Sequence, residues 1–384
     1  MSAADVLVIG GSVSGATTVE ALRQRGFTGG IRLVGDEPHL PYDRPPLSKK
    51  VLSGAWAPER VTLFDARRLE ALGADVTLGV AATRLHARNR VVTLADGRLV
   101  PYGTLVIATG LRARTLPFGR DLAGVHTLRT VEDSVRLREA LLRAGTLTVI
   151  GAGVLGCEIA STARGLGLAV TLVDPNPAPM WRQLGAEVGK MLGDLHRDHG
   201  VEVRAGTRVT GFSRHANRVN GVLLEGGATI PTDLVVMTMG STPATDWLIG
   251  SGLVLDDGIV CDERCRAGDG IYAVGDVARG PHGGDGSGGR LENRTNATEQ
   301  AAFVAADIMG ASEPYRPRPY FWTDQYDVKI QVHGTVPPDA ELTLLEGDLA
   351  SRRFIMLAAR GGTPVGLVGW NSAKRINAAR HTYL

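Results

Sequence analysis

Residues 146–174 read TLTVIGAGVLGCEIASTARGLGLAVTLVD, and their grammar decides the fold. An apolar β run, Thr146–Ile150, ends in the turn GAGVLG; a helical stretch follows over 157–165, and a second β run, 169–174, closes on an acid. That order is a βαβ dinucleotide-binding unit. In such a turn the first glycine, Gly151, permits the bend. The second, Gly153, lets backbone approach a pyrophosphate, and the third, Gly156, lets helix and strand pack closely. The phosphates then rest on the helix N-terminus at Val154 and Leu155, where unpaired N–H groups and the dipole favour anions. Asp174 ends the second strand, where a carboxylate can accept from a ribose 2′-OH and repel a 2′-phosphate. No arginine follows until Arg182, so the pattern predicts NADH over NADPH.

The same grammar opens the chain. A β run from Val6 reaches Gly10, a helix is predicted over 16–25, a second β run covers 31–34, and Asp36 and Glu37 follow. Gly10 and Gly15 hold the first and third positions, but Ser12 stands in the second, with Ser14 beside it. Two copies predict an α/β protein with two Rossmann-like dinucleotide-binding domains. β-rich stretches follow each (76–94 and the strand 105–109, then 201–236). Past Gly310, Pro314, Pro317 and Pro319 make a linker, and short β runs to Trp370 with a helical tail from Ser372 predict a small C-terminal α+β domain. The expected division is 1–112 with 242–312, then 113–241, then 316–384.

At 384 residues the chain exceeds what one core supports. A net charge of +2 with no block of like charges argues against nucleic acid. The opening MSAADVLVIGG has no basic leader region and too short an apolar run for a membrane span, so a cytoplasmic protein with no membrane partner is expected. Cys157, Cys261 and Cys265 lack the CxxC spacing and number of a redox pair, a structural metal site or an iron–sulfur cluster, so no metal is expected. Cys157 reads as a small buried residue of the mid-chain helix.

The segment LPYDRPPLSKK (40–50) resembles the flavin-contacting segment of the FAD-dependent ferredoxin reductases that serve Rieske dioxygenases and bacterial P450 systems, a family related to putidaredoxin reductase, rubredoxin reductase and apoptosis-inducing factor. LVIATG (105–110), VIGAGVLGCE (149–158), IYAVGDVA (271–278), NATEQA (296–301) and YFWTDQY (320–326) appear in the family's order, so the resemblance spans nearly the whole chain. It implies a glutathione-reductase-like fold with FAD at the first turn and NADH at the second. Asp36 would bind the adenosine ribose, Arg44 and Lys49 would contact the cofactor, and Arg129 and Asp276 would bind its diphosphate and ribityl regions. The helix opening near Asn296 would aim its positive end at the flavin pyrimidine. Trp322 could pack near the isoalloxazine or in an ordinary core.

The candidate FAD-binding set is Gly10, Ser12, Ser14, Gly15, Asp36, Glu37, Arg44, Pro46, Lys49, Ala82, Ala108, Thr109, Gly110, Arg129, Asp276, Arg294, Thr295 and Trp322. The NAD set is Gly151, Gly153, Val154, Leu155, Gly156, Glu158, Asp174, Arg182 and Gly240. The resemblance also implies that Glu158 pairs with Lys49 close to flavin N5, and these two are the catalytic candidates. Arg294 departs from the tryptophan found in many relatives; it reads as a docking contact for an acidic ferredoxin or as a solvated arginine. The stretch 283–289 reads as a flexible glycine loop.

Related disulfide reductases carry a cysteine pair where this chain has Tyr42 to Lys50, and no cysteine occurs there. Electrons taken as hydride must then leave to an external acceptor. The expected function is an NADH:ferredoxin oxidoreductase, passing single electrons to a separate [2Fe–2S] ferredoxin that feeds an oxygenase or P450, in a monomer or homodimer. A rubredoxin reductase, a diaphorase with another acceptor and an NADH-responsive flavin-bound signalling protein remain open as rivals.

Overall fold

The structure is a computed structural model and describes residues 5–281 and 288–384; most of the glycine stretch 283–289 lies outside them. The chain divides into two compact units. One comprises Met1–Asp43, Val61–Arg112 and Thr242–Tyr320; the other comprises Arg44–Arg60, Ala113–Ser241 and Phe321–Leu384.

The first unit is built on a six-stranded sheet in the order Arg266–Gly268, Ile271–Ala273, Thr104–Ile107, Val6–Ile9, Ile31–Val34, Ala74–Thr77. All neighbours run parallel except the outermost pair, 266–268 with 271–273. Side chains of a strand alternate between faces, and a parallel strand covered on both sides must be apolar on both. Val6 and Val8 therefore join Ala16, Val19, Leu22, Val304 and Ala305 in a core beneath the helices Val13–Gln24 and Arg294–Ile308. Leu7 and Ile9 enter a second core with Leu85, Val92, Leu94 and Val100, from the antiparallel sheet of strands Ala82–His86, Val91–Leu94 and Leu99–Pro101.

The second unit repeats the plan. Its parallel sheet runs in the order Val201–Ala205, Ala169–Asp174, Thr146–Ile150, Leu234–Met237, Val125–His126, with a three-stranded antiparallel sheet over residues 209–231. The C-terminal part is a five-stranded antiparallel sheet, in the order Tyr320–Gln325, Val328–Gly334, Thr363–Trp370, Arg353–Arg360, Glu341–Asp348. Its terminal helix, Ala373–Tyr383, buries Ile376 against Ile355 and Leu367. This α/β architecture with a C-terminal α+β portion is the predicted fold class. Among the described residues no helix is long and apolar enough to cross a membrane.

The helices of both turns begin earlier than the sequence suggests, at Val13 rather than 16 and at Val154 rather than 157. The reason is local. The chain turns helical immediately after the second position of each motif, where Ser12 and Gly153 form extended N-caps. The strand expected over 105–109 runs over Thr104–Ile107, after which the chain leaves the sheet toward Gly110 at φ +63°.

Candidate functional site

In both units the glycine turn follows the strand at which the sheet order reverses, flanked on one side by the strand that comes next after the motif's helix and on the other by a strand from much later in the chain. That is the switch point at which open α/β sheets bind ligands, at the carboxyl ends of the strands. The constraints on the two turns match closely. A Cβ on Gly10 would stand 2.2 Å from the Ala108 carbonyl oxygen, and one on Gly151 would stand 2.4 Å from that of Thr238. A Cβ on Gly15 or on Gly156 would stand 1.9 Å from the carbonyl oxygen of the motif's own first glycine. First and third glycines are thus demanded by the protein itself. Gly153 is different, because a Cβ there would meet nothing within 4 Å. Nothing in the chain requires glycine at that point, whereas a pyrophosphate lying over it would.

Around the N-terminal turn, Ser14 is buried and stands so close to Gly275 that a Cβ on that glycine would lie 2.4 Å from the Ser14 hydroxyl oxygen. Gly275 N donates to Gln300 Oε1 at 2.8 Å. This fixes the Gly275-Asp276 corner against the first turn of the N-terminal helix and against the helix Arg294–Ile308. Asn293 caps that helix, accepting from Asn296 N at 2.7 Å. Asp36 is exposed beyond its strand, while Glu37 accepts a hydrogen bond from the Tyr42 hydroxyl. Thr109 donates to the Ala244 carbonyl at 3.0 Å, holding the segment that contains Ala108 and Gly110. Ala82 starts a strand of the neighbouring antiparallel sheet, and Thr295 sits half-buried in the first turn of the capped helix. Arg294 is not a freely solvated arginine: its Nε lies 2.6 Å from Asp43 Oδ1.

The second unit holds the other candidates. Arg44 donates to the Arg129 carbonyl at 2.6 Å, and Pro46 lies in the short 3₁₀ turn Pro45–Ser48 that ends at Lys49. Lys49 Nζ and Glu158 Oε2 form the expected ion pair at 2.7 Å, with the lysine side chain 17% exposed and the glutamate 6%. Ser48 Oγ donates to the same oxygen at 2.5 Å, and Thr323 Oγ1 donates to Glu158 Oε1 at 2.8 Å. Both carboxylate oxygens are therefore engaged, as a buried charge requires. Gly153, Val154 and Leu155 are partly open at the turn; Arg182 and Gly240 are exposed. Strand alternation puts Trp322 on the opposite face from Thr323.

Asp174 ends its strand as expected, but it is 8% exposed and spent on its own turn. Its Oδ2 accepts from Ala152 N at 2.6 Å, and its Oδ1 accepts from both Asn176 N and Asn176 Nδ2 at 2.7 Å. A ribose would have to share these oxygens with the backbone. All three cysteines are buried. Burial pushes the Cys157 thiol well above its ordinary range and Cys265 up to about 12, so neither supplies a thiolate nucleophile.

Ser48, Thr323, Thr238 and Asp43 did not emerge from the sequence. Thr238 donates to the Gly151 carbonyl at 2.8 Å and so holds the mid-chain turn. One signal was available for Thr323: it and Gln325 are polar residues two apart on a predicted strand.

Two switch-point turns shaped for pyrophosphate, each within its own parallel sheet, define a two-dinucleotide oxidoreductase. The chain belongs to the pyridine nucleotide-disulphide oxidoreductase family, whose model matches residues 4–301; a reductase C-terminal model matches residues 320–383. Rhodocoxin reductase of Rhodococcus erythropolis is 36% identical over 377 residues, covering 98% of this chain and 88% of its own length. The ferredoxin reductase component of chlorobenzene dioxygenase from Cupriavidus sp. (strain PS12) is 38% identical over 362 residues, covering 94% and 87%. Among solved structures, the ferredoxin reductase for the CYP199A2 system of Rhodopseudomonas palustris matches with a TM-score of 0.94 at 34% identity, covering 98% of this chain and 93% of that one.

Proposed function

We propose that this chain is an NADH-dependent ferredoxin reductase that holds FAD at the N-terminal turn and NADH at the mid-chain turn. The observation that carries this reading is the open space before Gly153 beside the crowded Gly151 and Gly156, repeated in plan at Gly10 and Gly15. Relatives named as ferredoxin reductases over almost the whole chain support it. In this reading residues 1–112 and 242–312 form the FAD-binding domain, 113–241 the NAD-binding domain and 316–384 the C-terminal domain.

The residues divide the work by their chemistry. Backbone N–H groups at Ser14 and Gly15, and at Leu155 and Gly156, receive phosphates at the two helix N-termini. Asp36, exposed and carrying a free rim of acceptors, takes the adenosine ribose of FAD; Asp276 takes ribityl hydroxyls, and Arg44 and Arg129 take diphosphate. Asp174 rejects a 2′-phosphate by charge, which favours NADH. Lys49, held by Glu158, presents an oriented ammonium for the hydride-transfer step. Bound FAD supplies what side chains cannot, uptake of an electron pair and its release as single electrons. With every cysteine buried, the acceptor is a separate [2Fe–2S] ferredoxin that feeds an oxygenase or P450. We place the protein in the cytoplasm, as a monomer or homodimer.

The test is anaerobic titration of the purified, FAD-reconstituted protein with NADH, followed by cytochrome c reduction with and without added ferredoxin. Bleaching of the flavin band and ferredoxin-dependent turnover are expected. A protein that takes up no FAD, or turnover indifferent to ferredoxin, overturns the reading.

A further inference from the structure

Behind Glu158, within the second unit, runs a line of buried polar side chains that the proposed reaction does not use. Thr323 and Gln325 point from one face of the strand Tyr320–Gln325, and His196 from the helix Trp181–Asp198; all three are 0 or 1% exposed. Thr323 Oγ1 lies 2.8 Å from Glu158 Oε1, Gln325 Nε2 lies 3.2 Å from Thr323 Oγ1, and His196 Nε2 lies 3.0 Å from Gln325 Oε1. The Tyr326 hydroxyl lies 2.9 Å from His196 Nδ1. The line returns to its origin, because Tyr326 N donates to Ser161 Oγ at 2.7 Å, on the same helix that carries Glu158. Tyr326 sits at φ +54°, in the left-handed region that favours glycine.

From Glu158 to His196 the donors in this line can point only one way. A carboxylate paired with lysine accepts and never donates, so the Thr323 hydroxyl must donate to Glu158. Its oxygen is then the acceptor for the Gln325 amide N–H, which leaves Gln325 Oε1 to accept from His196 Nε2–H. In the neutral ring that leaves Nδ1 to accept from the Tyr326 hydroxyl. Burial agrees, driving the histidine's pKa down to about 4, with His199, stacked on Tyr326 at 3.8 Å, acting in the same direction. Apolar side chains would fill this space at less desolvation cost. The polar line therefore needs a reason beyond packing.

We propose that Thr323, Gln325 and His196 are positioning residues for Glu158: by donating one after another toward its carboxylate, they fix the oxygens that hold Lys49 and so set the direction of its ammonium. This rests on the reading of Lys49 and Glu158 as the pair that governs hydride transfer, and the experiment separates the two. Ring-nitrogen NMR of the whole protein should show His196 as the neutral Nε2–H tautomer, and Glu158→Gln should shift that signal although Glu158 does not touch His196. Thr323→Val should slow NADH-driven flavin reduction about ten-fold with the KM for NADH unchanged, the loss of one hydrogen bond to a charged group, and Thr323→Ser should restore it. Adding His196→Gln to Thr323→Val should slow the step no further, since the link is already cut.

An Nδ1–H tautomer, a His196 signal indifferent to Glu158→Gln, or strictly additive rate effects would overturn the proposal. So would an unchanged rate in Thr323→Val while Lys49→Met is slow. An unchanged rate in Lys49→Met refutes the reading of the pair instead, and the NMR coupling still decides the line. Should Thr323→Val fail to fold, the tautomer in the unsubstituted protein keeps the test alive.

Discussion

Gly10 and Gly151 face the same obstacle, a carbonyl oxygen just past the end of the neighbouring parallel strand, 2.2 or 2.4 Å from where a Cβ would be, yet the two turns they begin are tuned differently. The N-terminal turn has Ser12 at its second position, backs onto Ala108 and leaves Asp36 exposed. The mid-chain turn has Gly153 there and backs onto Thr238, whose hydroxyl fastens Gly151, while Asp174 is consumed by Ala152 and Asn176. Two residues past the third glycine the first helix carries Thr17, and the second carries Glu158, buried and paired. The backbone frame gives the two turns the same crowded first and third glycines. What each site does next is set by residues that the motif does not contain.

The most severe way to break the comparison is at the third glycine. Gly15→Ala and Gly156→Ala each place a methyl 1.9 Å from a carbonyl oxygen, and each should cost about 3 kcal/mol or more by overpacking. Denaturant unfolding would measure it, with FAD content falling in the first variant and NADH binding in the second. Equal losses of both cofactors in both variants would show that the turns are not separate sites.

Acid should separate the units next. His196, in the second unit, has its pKa lowered by burial from 6.5 to about 4. The unfolded chain therefore binds the extra proton first, and stability is fully present above about pH 6.5 and lost as pH falls toward 4. The loss is at most about 3 kcal/mol. Hydrogen exchange at descending pH should open the mid-chain unit before the N-terminal one, and His196→Gln should flatten that slope. A slope unaltered by the substitution would assign the acid sensitivity elsewhere.

Smaller effects sharpen the difference between the acids. Asp174→Asn leaves one of its backbone donors without an acceptor and should destabilise the protein by about 1–2 kcal/mol, whereas Asp36→Asn, exposed, should stay within about 0.5 kcal/mol and act on FAD affinity alone. At the mid-chain turn, Gly153→Ala should likewise keep the fold, to within about 1 kcal/mol for a lost N-cap preference, while raising the KM for NADH. An unchanged KM would mean that no pyrophosphate approaches that residue.

Much of this was legible in the chain itself. The β runs at 31–34 and 169–174 fall where read, because a run of apolar residues bounded by glycine and acid admits little else. The helix starts were misplaced by three residues because caps are conformations, and neither Ser12 nor Gly153 makes a side-chain cap bond that composition could signal. Asp174 was read from its position, and its position was right; its hydrogen bonds were invisible because they depend on how Ala152 and Asn176 turn back on it. The Arg294–Asp43 pair spans 251 positions and the Thr323–Glu158 bond 165, separations over which no local pattern carries information.

The sequence by itself determined the two glycine turns, the strands that flank them, the lack of a thiol pair and the family to which the chain belongs. These follow from short-range rules, in which a residue's allowed φ and the alternation of apolar side chains are settled by near neighbours. Only the tertiary structure decided which acid is exposed and which is spent, that Glu158 is held on both oxygens, and that a line of buried polar side chains from Tyr326 leads to it. Those are matters of burial, where an unpaired polar atom is costly and the nearest partner in space is rarely the nearest in the chain.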